Sequence, residues 1–240
     1  EEVNHSVQSE NWKTPGEILK AIYTFQKKYD ASVMPSMQHS KTEILYNQLN
    51  LFNRLIKPYM LAGILLLLIQ FVHIFIPRFS IRYFSKAAVL FVSIAFALHT
   101  LGLALRWYVS GHAPISNGYE TLSFIAWAAV LAGLLLSWKS SITVSTTSIL
   151  AALILQVAHL SWMDPQITNL VPVLRSYWLV IHVAVVTASY GFFGMGTLLA
   201  VLNLILMFFE SGKNHERLEI QISQITQIIE LTLIAGLYLL

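Results

Sequence analysis

Histidines carry most of the chemistry that this sequence could perform at neutral pH, and the chain has eight of them. A neutral imidazole can bind a metal ion or haem iron, or relay a proton. His112 lies in a segment rich in glycine and proline, and His182 follows an aromatic pair at residues 177 and 178. Three others lie near the ends of long apolar runs, where the ordinary interpretation is an interfacial residue hydrogen-bonded to backbone or water. They are His73, His99 and His159.

Several other kinds of site are not indicated. The sequence contains no cysteine, so it has no disulfide, thiolate metal site or CxxC redox pair. It has no HExxH pattern, which argues against a zinc hydrolase. The net charge is +3, but Lys and Arg lie between apolar runs and form no basic stripe, so we predict no nucleic-acid partner. We also predict no catalytic side chain of the chain's own.

Membrane helices must position these histidines. Hydrophobic residues make up 56% of the 240 residues and charged residues only 11%, against about 25% charged residues in a soluble domain. Five apolar runs approach or exceed the about 20 residues that span a bilayer. These predicted spans are Tyr59 to Ile76, Lys86 to Leu105, Thr121 to Trp138, Ile142 to Leu160 and Trp178 to Phe209. The predicted fold is therefore all-α, a polytopic helical membrane protein with five complete transmembrane helices.

Two further segments complete this prediction. Residues 1–56 are polar and are expected to form a short extracytoplasmic helical region, which Lys57-Pro58 separates from the first span. At the other end, an amphipathic helix leads into the apolar run Leu231 to Leu240, which we predict as a truncated sixth span. The chain is accordingly expected to be an internal piece of a longer protein, with domains at residues 1–56 and 57–240.

The orientation follows from basic residues in alternate short loops. Segments 77–86, 139–141 and 210–217 hold six Lys and Arg residues, whereas segments 106–120 and 161–177 hold only Arg106 and Arg175. The positive-inside rule places the first set in the cytoplasm. The external side then receives the two less basic loops and four of the histidines: His99, His112, His159 and His182.

Both external loops carry long motifs. The first, W-x-x-S-G-H-x-P-x-S-N-x-Y-E-T-L, runs from Trp107 to Leu122, and the second, L-V-P-x-L-x-S-x-W-L-x-x-H-V, runs from Leu170 to Val183. With these motifs the sequence resembles the CcsA/ResC-type, or system II, cytochrome c biogenesis proteins. Residues 1–56 are similar to the tail of the CcsB/ResB-like portion that precedes CcsA in fused CcsB-CcsA synthases.

The resemblance implies a haem-handling role in the bacterial cytoplasmic membrane. Such proteins present haem, as haem b, at the outer face for thioether attachment to the CxxCH thiols of apocytochrome c. His182 matches an axial ligand of the haem iron, whereas the tryptophan-rich segment and second external histidine expected to follow it are not in this sequence. The longer parent would thus form part of a holocytochrome c synthase, and this piece alone is expected to be inactive. His112 and Trp178 are further candidate haem contacts.

Alternatives remain open for individual residues and for the whole chain. Arg106 and Arg175 could each pair with a haem propionate or instead anchor their loops. The chain could be a polytopic transporter, which predicts internal repeats and interrupted helices. It could also be a membrane b-type cytochrome, with His99 and His159 facing each other across two spans as the ligand pair.

Overall fold

The computed structural model describes residues 13–29, 35–75, 81–137, 140–167, 170, 172, 176–209 and 215–240. Within these residues the chain forms α-helices and no β-strand. The helices are α1 (Lys13–Tyr29), α2 (Met37–Leu49), α3 (Leu51–Phe75), α4 (Arg82–Ser110), α5 (Gly118–Leu136), α6 (Ser141–Ala158), α7 (Tyr177–Phe208) and α8 (His215–Leu239).

Six helical segments are long and apolar enough to cross a membrane. The first lies within Met37–His73, where Asn50, at φ 39°, separates α2 from α3, and the others are α4 to α8. Over the described residues, each predicted span coincides with one of the helices α3 to α7, and the third, fourth and fifth predicted spans extend one or two residues past the end of their helix. The predicted all-α polytopic fold is confirmed, and the chain is an integral membrane protein.

The sixth span differs from the prediction. Residues 215–239 form one continuous helix of 25 residues, about as long as the bilayer requires. The prediction separates an amphipathic helix from the apolar run 231–240, because Gln221, Gln224 and Glu230 interrupt the apolar residues of this segment. In the structure Leu218, Ile222, Ile225 and Ile228 are buried along one side of α8, which packs against α7. Tertiary packing therefore extends the helix beyond the apolar run.

Lys57-Pro58 does not end a helix, contrary to the prediction. Helix α3 runs through Pro58 without interruption. Proline removes one backbone hydrogen bond, a loss that membrane helices tolerate when neighbours pack against them. Leu55 and Tyr59 on either side of the proline are buried in the core, so packing stabilises this turn. The predicted boundary between residues 56 and 57 falls inside α3.

The chain divides into two compact units, Glu1–Leu45 and Tyr46–Leu240. In the described part of the first, α1 exposes most of its side chains. In the second, α3 packs chiefly on α6, α5 packs on α6 and α7, and α7 packs on α8. That residues 1–56 are the tail of a CcsB-like portion stays a prediction.

Small side chains let the helices around α6 approach closely. Ser145 to Ser148 are buried on α6, and their hydroxyls donate to backbone carbonyls three or four residues earlier. Glycine provides the space on the neighbouring helices: a Cβ at Gly63 of α3 would lie 2.8 Å from Ser145 O, and one at Gly133 of α5 would collide with Thr147. This is the small-residue packing that membrane helices favour.

Candidate functional site

Arg106, in the last turns of α4, is the centre of a buried polar cluster. Its side chain is fully buried and donates from Nε to Glu120 Oε1 at 2.8 Å. Nη1 donates to Tyr46 OH and to Pro165 O, both at 2.9 Å, and Nη2 donates to Gln166 O at 3.2 Å. One guanidinium thereby joins α2, α4, α5 and the segment that follows α6.

Glu120 reaches this arginine because α5 begins with a well-formed cap. Asn117, the N-cap residue, has extended backbone and accepts through Oδ1 from Glu120 N at 2.9 Å. The Glu120 carboxylate turns back and accepts at 2.7 Å through Oε2 from both N and Oγ of Ser116. A carboxylate in the first turn also interacts favourably with the helix dipole. Glu120 therefore balances the charge of Arg106 and, through its bonds with Ser116, also holds the loop that precedes α5.

The loop between α4 and α5 is fixed at its other end by Gly111. This residue has φ 72°, the left-handed conformation that favours glycine, and its N–H donates to Trp107 O at 2.9 Å. His112 follows, half-buried, with Nδ1 3.1 Å from Ala113 O. Because a carbonyl only accepts, His112 Nδ1 carries a proton in this contact.

An apolar cavity of about 670 Å³ lies at this end of the helices. Its volume falls in the range of about 300–1,000 Å³ found for small-molecule sites. The lining includes Trp107, His112, Trp127, Leu170, Tyr177 and Ile181. Trp127 is held in place by a hydrogen bond from Nε1 to Thr100 Oγ1 at 2.9 Å, and it stacks on Phe96 and Phe124. The cavity therefore has a rigid aromatic wall.

His182 and Trp178 lie on a different face of α7 from the cavity. Both side chains are exposed, Trp178 to 78%. At 3.6 residues per turn, Tyr177 and Ile181 share the side that lines the cavity, and His182 is on nearly the opposite side. The predicted haem contacts thus divide into His112 at the cavity and His182 with Trp178 on the exposed face. Arg175, the remaining predicted contact, lies outside the described residues.

His99 and His159 do not face each other across an open space. His99 is fully buried, 5.4 Å from the Phe52 ring and 3.5 Å from Tyr59 OH. His159 bonds through Nδ1 to Leu155 O at 2.8 Å and packs on Tyr119, whose ring contacts Phe52. The rings of Phe52 and Tyr119 contact each other and one histidine each, so His99 and His159 are not arranged to share a haem, although the buried His99 Nε2 has no hydrogen-bond partner among the described residues.

The transporter alternative gains no support from α7. Gly191, Gly194 and Gly196 lie within an unbroken helix of 32 residues. A Cβ at Gly191 would lie 2.9 Å from Ala129 N and 3.0 Å from Ile125 O, so this glycine permits close packing on α5. The described part of α7 shows no interruption at these glycines.

Two members of the polar cluster could not be identified as such from the sequence. Tyr46 lies 60 residues from Arg106, in the polar N-terminal segment, and nothing in its surroundings marks it. In the sequence Glu120 stands out only as a member of the motif from Trp107 to Leu122. The available signal was that Arg106 and Glu120 lie on either side of one short loop, since charges at membrane helix ends usually pair.

Comparison with known proteins supports the motif-based resemblance. Residues 115–239 match the family described as Cytochrome C assembly protein. Protein NrfI of Wolinella succinogenes is 44% identical over 226 residues, which cover 93% of this chain and 25% of NrfI. Cytochrome c biogenesis protein CcsA of Prochlorococcus marinus is 40% identical over 121 residues, which cover 49% of this chain and 38% of CcsA. The chain thus spans about a quarter of NrfI and under half of this CcsA.

Proposed function

Since this chain belongs to the Cytochrome C assembly protein family and is of the CcsA type, we propose that it presents haem for attachment to apocytochrome c. The site is the membrane end that carries residues 111–117 and 159–167, which we call the loop end. We propose that this end faces outward from the bacterial cytoplasmic membrane, as the distribution of Lys and Arg favours. A CcsB-like portion of a longer parent is the proposed partner.

The exposure of His182 is the observation that carries this proposal. Its imidazole lies on an exposed face in the second turn of α7, one turn from the exposed indole of Trp178. A neutral imidazole is a good axial ligand for haem iron, and an aromatic neighbour suits the apolar macrocycle. His99 and His159, by contrast, are engaged with core residues.

The haem is substrate in this scheme, and the chain's own residues orient it. In the attachment, each CxxCH thiol adds its sulfur to one carbon of a haem vinyl group and its proton to the other carbon. Sulfur supplies both electrons of each new C–S bond, and the vinyl π pair forms the new C–H bond with the thiol proton, so no net oxidation occurs. An axial imidazole such as that of His182 contributes by holding the haem at the loop end and by setting the potential of the iron.

In this proposal Arg106 holds the loop end in place and does not contact the haem. Its guanidinium is buried, and its nitrogens already donate to Glu120, Tyr46 and two backbone carbonyls. To contact a haem propionate, the guanidinium would have to give up some of these hydrogen bonds. To anchor the loop, it keeps all of them. We therefore assign Arg106 to fixing the loop end, and a propionate contact by Arg175 stays a prediction.

The test compares single histidine variants of the protein purified in detergent. We expect His182→Gly to weaken haem binding by about tenfold or more, because even outer-shell changes at metal sites cost about 10–100-fold. The measurement is a haem titration followed by the Soret band, repeated with added imidazole, which should restore the band in His182→Gly. His215→Gly is the matched control, because His215 is exposed at the start of α8, away from the loop end, and His112→Ala tests the cavity.

Three results would decide against the assignment. If His182→Gly binds haem as the parent protein does, His182 is not the ligand. If His112→Ala abolishes binding and His182→Gly does not, haem enters the cavity instead. If the parent protein gains no Soret band with haem, the proposed haem binding by this chain is wrong.

A further inference from the structure

A second cavity lies at the end of the helices opposite the loop end, and its chemistry differs from that of the first. Its volume is about 240 Å³, and its lining is mostly polar. Three amide side chains, one imidazole and two hydroxyls contribute to it. The amides are those of Gln70 on α3 and of Gln221 and Gln224 on α8. We call this cavity the polar pocket.

Two helix N-termini meet at the polar pocket. Ile81, the N-cap residue of α4, lines it, and this helix start has no side-chain cap. Ser140, Ser141 and Ile142 at the start of α6 line it as well, with Ser140 Oγ accepting from Ile142 N. The N-terminus of a helix carries partial positive charge and unbonded N–H groups. Two such ends therefore direct positive potential into one small space.

Gln70 provides an observation, independent of the two helix N-termini, that points to a ligand. Its side chain is only 4% exposed and lines the polar pocket. Oε1 accepts from Ser145 Oγ at 3.3 Å, whereas Nε2 has no hydrogen-bond partner among the described residues. A buried amide nitrogen without a partner destabilises the folded chain. A single water could satisfy this nitrogen, but it would leave the positive potential of the two helix ends uncompensated.

The described residues near this end carry a small excess of positive charge. Arg82 and Lys86 lie at the start of α4 and Arg217 at the start of α8, against Glu216 and Glu219. Helix N-termini are ready-made binding sites for phosphate groups in proteins, and this end of the helices lies where lipid phosphates would be.

From the convergence of two helix N-termini on the unpartnered Gln70 amide, we infer that the polar pocket binds a phosphate group. The proposed donors are Gln70 Nε2 and the hydroxyl of Ser141, and the two helix N-termini supply positive potential. The phosphate comes either from an anionic lipid headgroup or from free phosphate, and both present the same oxygens. This site is separate from the loop end and does not depend on the proposed haem role.

The experiment measures thermal unfolding of the full chain in neutral detergent. The probes are inorganic phosphate, dioctanoyl phosphatidylglycerol and dioctanoylglycerol, which has the same acyl chains without phosphate. A phosphate probe at about ten times its Kd should raise Tm by about 3–6 °C. Dioctanoylglycerol should not. A rise with the lipid alone identifies the headgroup as the source, and a rise with inorganic phosphate identifies the free ion, so both outcomes support the site.

Single substitutions test whether the rise in Tm comes from binding at the polar pocket. Gln70→Met keeps the side-chain volume and removes the amide, so the Tm rise should fall by more than half. Gln156→Met is the matched control, because Gln156 is exposed near the far end of α6. If Gln70→Met does not fold, Gln221→Met tests the less buried wall of the same pocket. The inference is overturned if neither phosphate probe raises Tm, or if the pocket variants respond as the parent protein does.

Discussion

Replacing Arg106 with methionine is the sharpest test of how the loop end is held together. Methionine replaces the arginine side chain as far as Nε and supplies none of the five guanidinium donors. The change leaves the Glu120 carboxylate buried, with only Ser116 N and Oγ as donors, and removes the partners of Tyr46 OH, Pro165 O and Gln166 O. Breaking a buried ion pair by removing one partner costs about 3–5 kcal/mol.

That free energy is large enough to measure on a membrane protein. At about 2–4 °C per kcal/mol for a chain of this size, Tm should fall by about 6–20 °C. Thermal unfolding in detergent, followed by circular dichroism, gives Tm, and titration with a denaturing detergent gives the change in unfolding free energy. Arg54→Met is the matched control, because Arg54 is exposed and should change stability by no more than about 0.5 kcal/mol.

A double-mutant cycle separates the ion pair from the other contacts of Arg106. Glu120→Leu alone leaves the guanidinium buried without its counter-charge, whereas the double variant removes both charges. The loss in the double variant should therefore be smaller than the sum of the two single losses, with a coupling energy of about 2–3 kcal/mol. A Tm of Arg106→Met within about 2 °C of the parent protein, or a coupling energy near zero, would refute the proposed role of the pair.

Two further predictions concern packing and capping. Gly191→Ala should destabilise the chain by about 1–3 kcal/mol, because its Cβ would lie 2.9 Å from a backbone nitrogen of α5. Gly194→Ala should cost less, since the nearest atom, at 3.2 Å, belongs to the flexible end of Leu150; equal losses in Tm would show that backbone contact is not the cause. Asn117→Ala should lower the free energy of unfolding by about 1 kcal/mol, because it removes the cap of α5. Asn117→Asp keeps a capping oxygen and should retain most of that stability. An unchanged Tm for Asn117→Ala would contradict the capping role.

The helices could be predicted from the sequence because the bilayer imposes a simple rule. A segment without charges that is long enough to cross must form a helix to satisfy its backbone. This rule located α3 to α7. It failed at Pro58 and in α8, where the outcome depends on which side chains the neighbouring helices bury. Leu55, Tyr59 and Ile225 stabilise those segments through contacts that lie far away in the sequence.

The candidate sites were predictable to different degrees. The motif identified His182 as a ligand candidate, but its face on α7 relative to the cavity required the positions of α4, α5 and α7. The sequence predicts that Arg106 lies on the external side and could anchor its loop. Its partners could not be deduced, because Tyr46 and Pro165 are about 60 residues away on opposite sides in sequence. Gln70 had no local pattern at all, since its significance comes from the two helix starts beside it.

The small side chains around α6 have a consequence for the entropy of assembly. Glycine and alanine lose no side-chain rotamers on burial, whereas leucine loses about 0.5–1 kcal/mol. The buried contacts among α3, α5 and α6 include Gly63, Gly133, Ala129, Ala151 and Ala152. These helices therefore pack together with little loss of side-chain entropy. The helices that carry the loop end and the polar pocket are thus ordered at a small entropic cost.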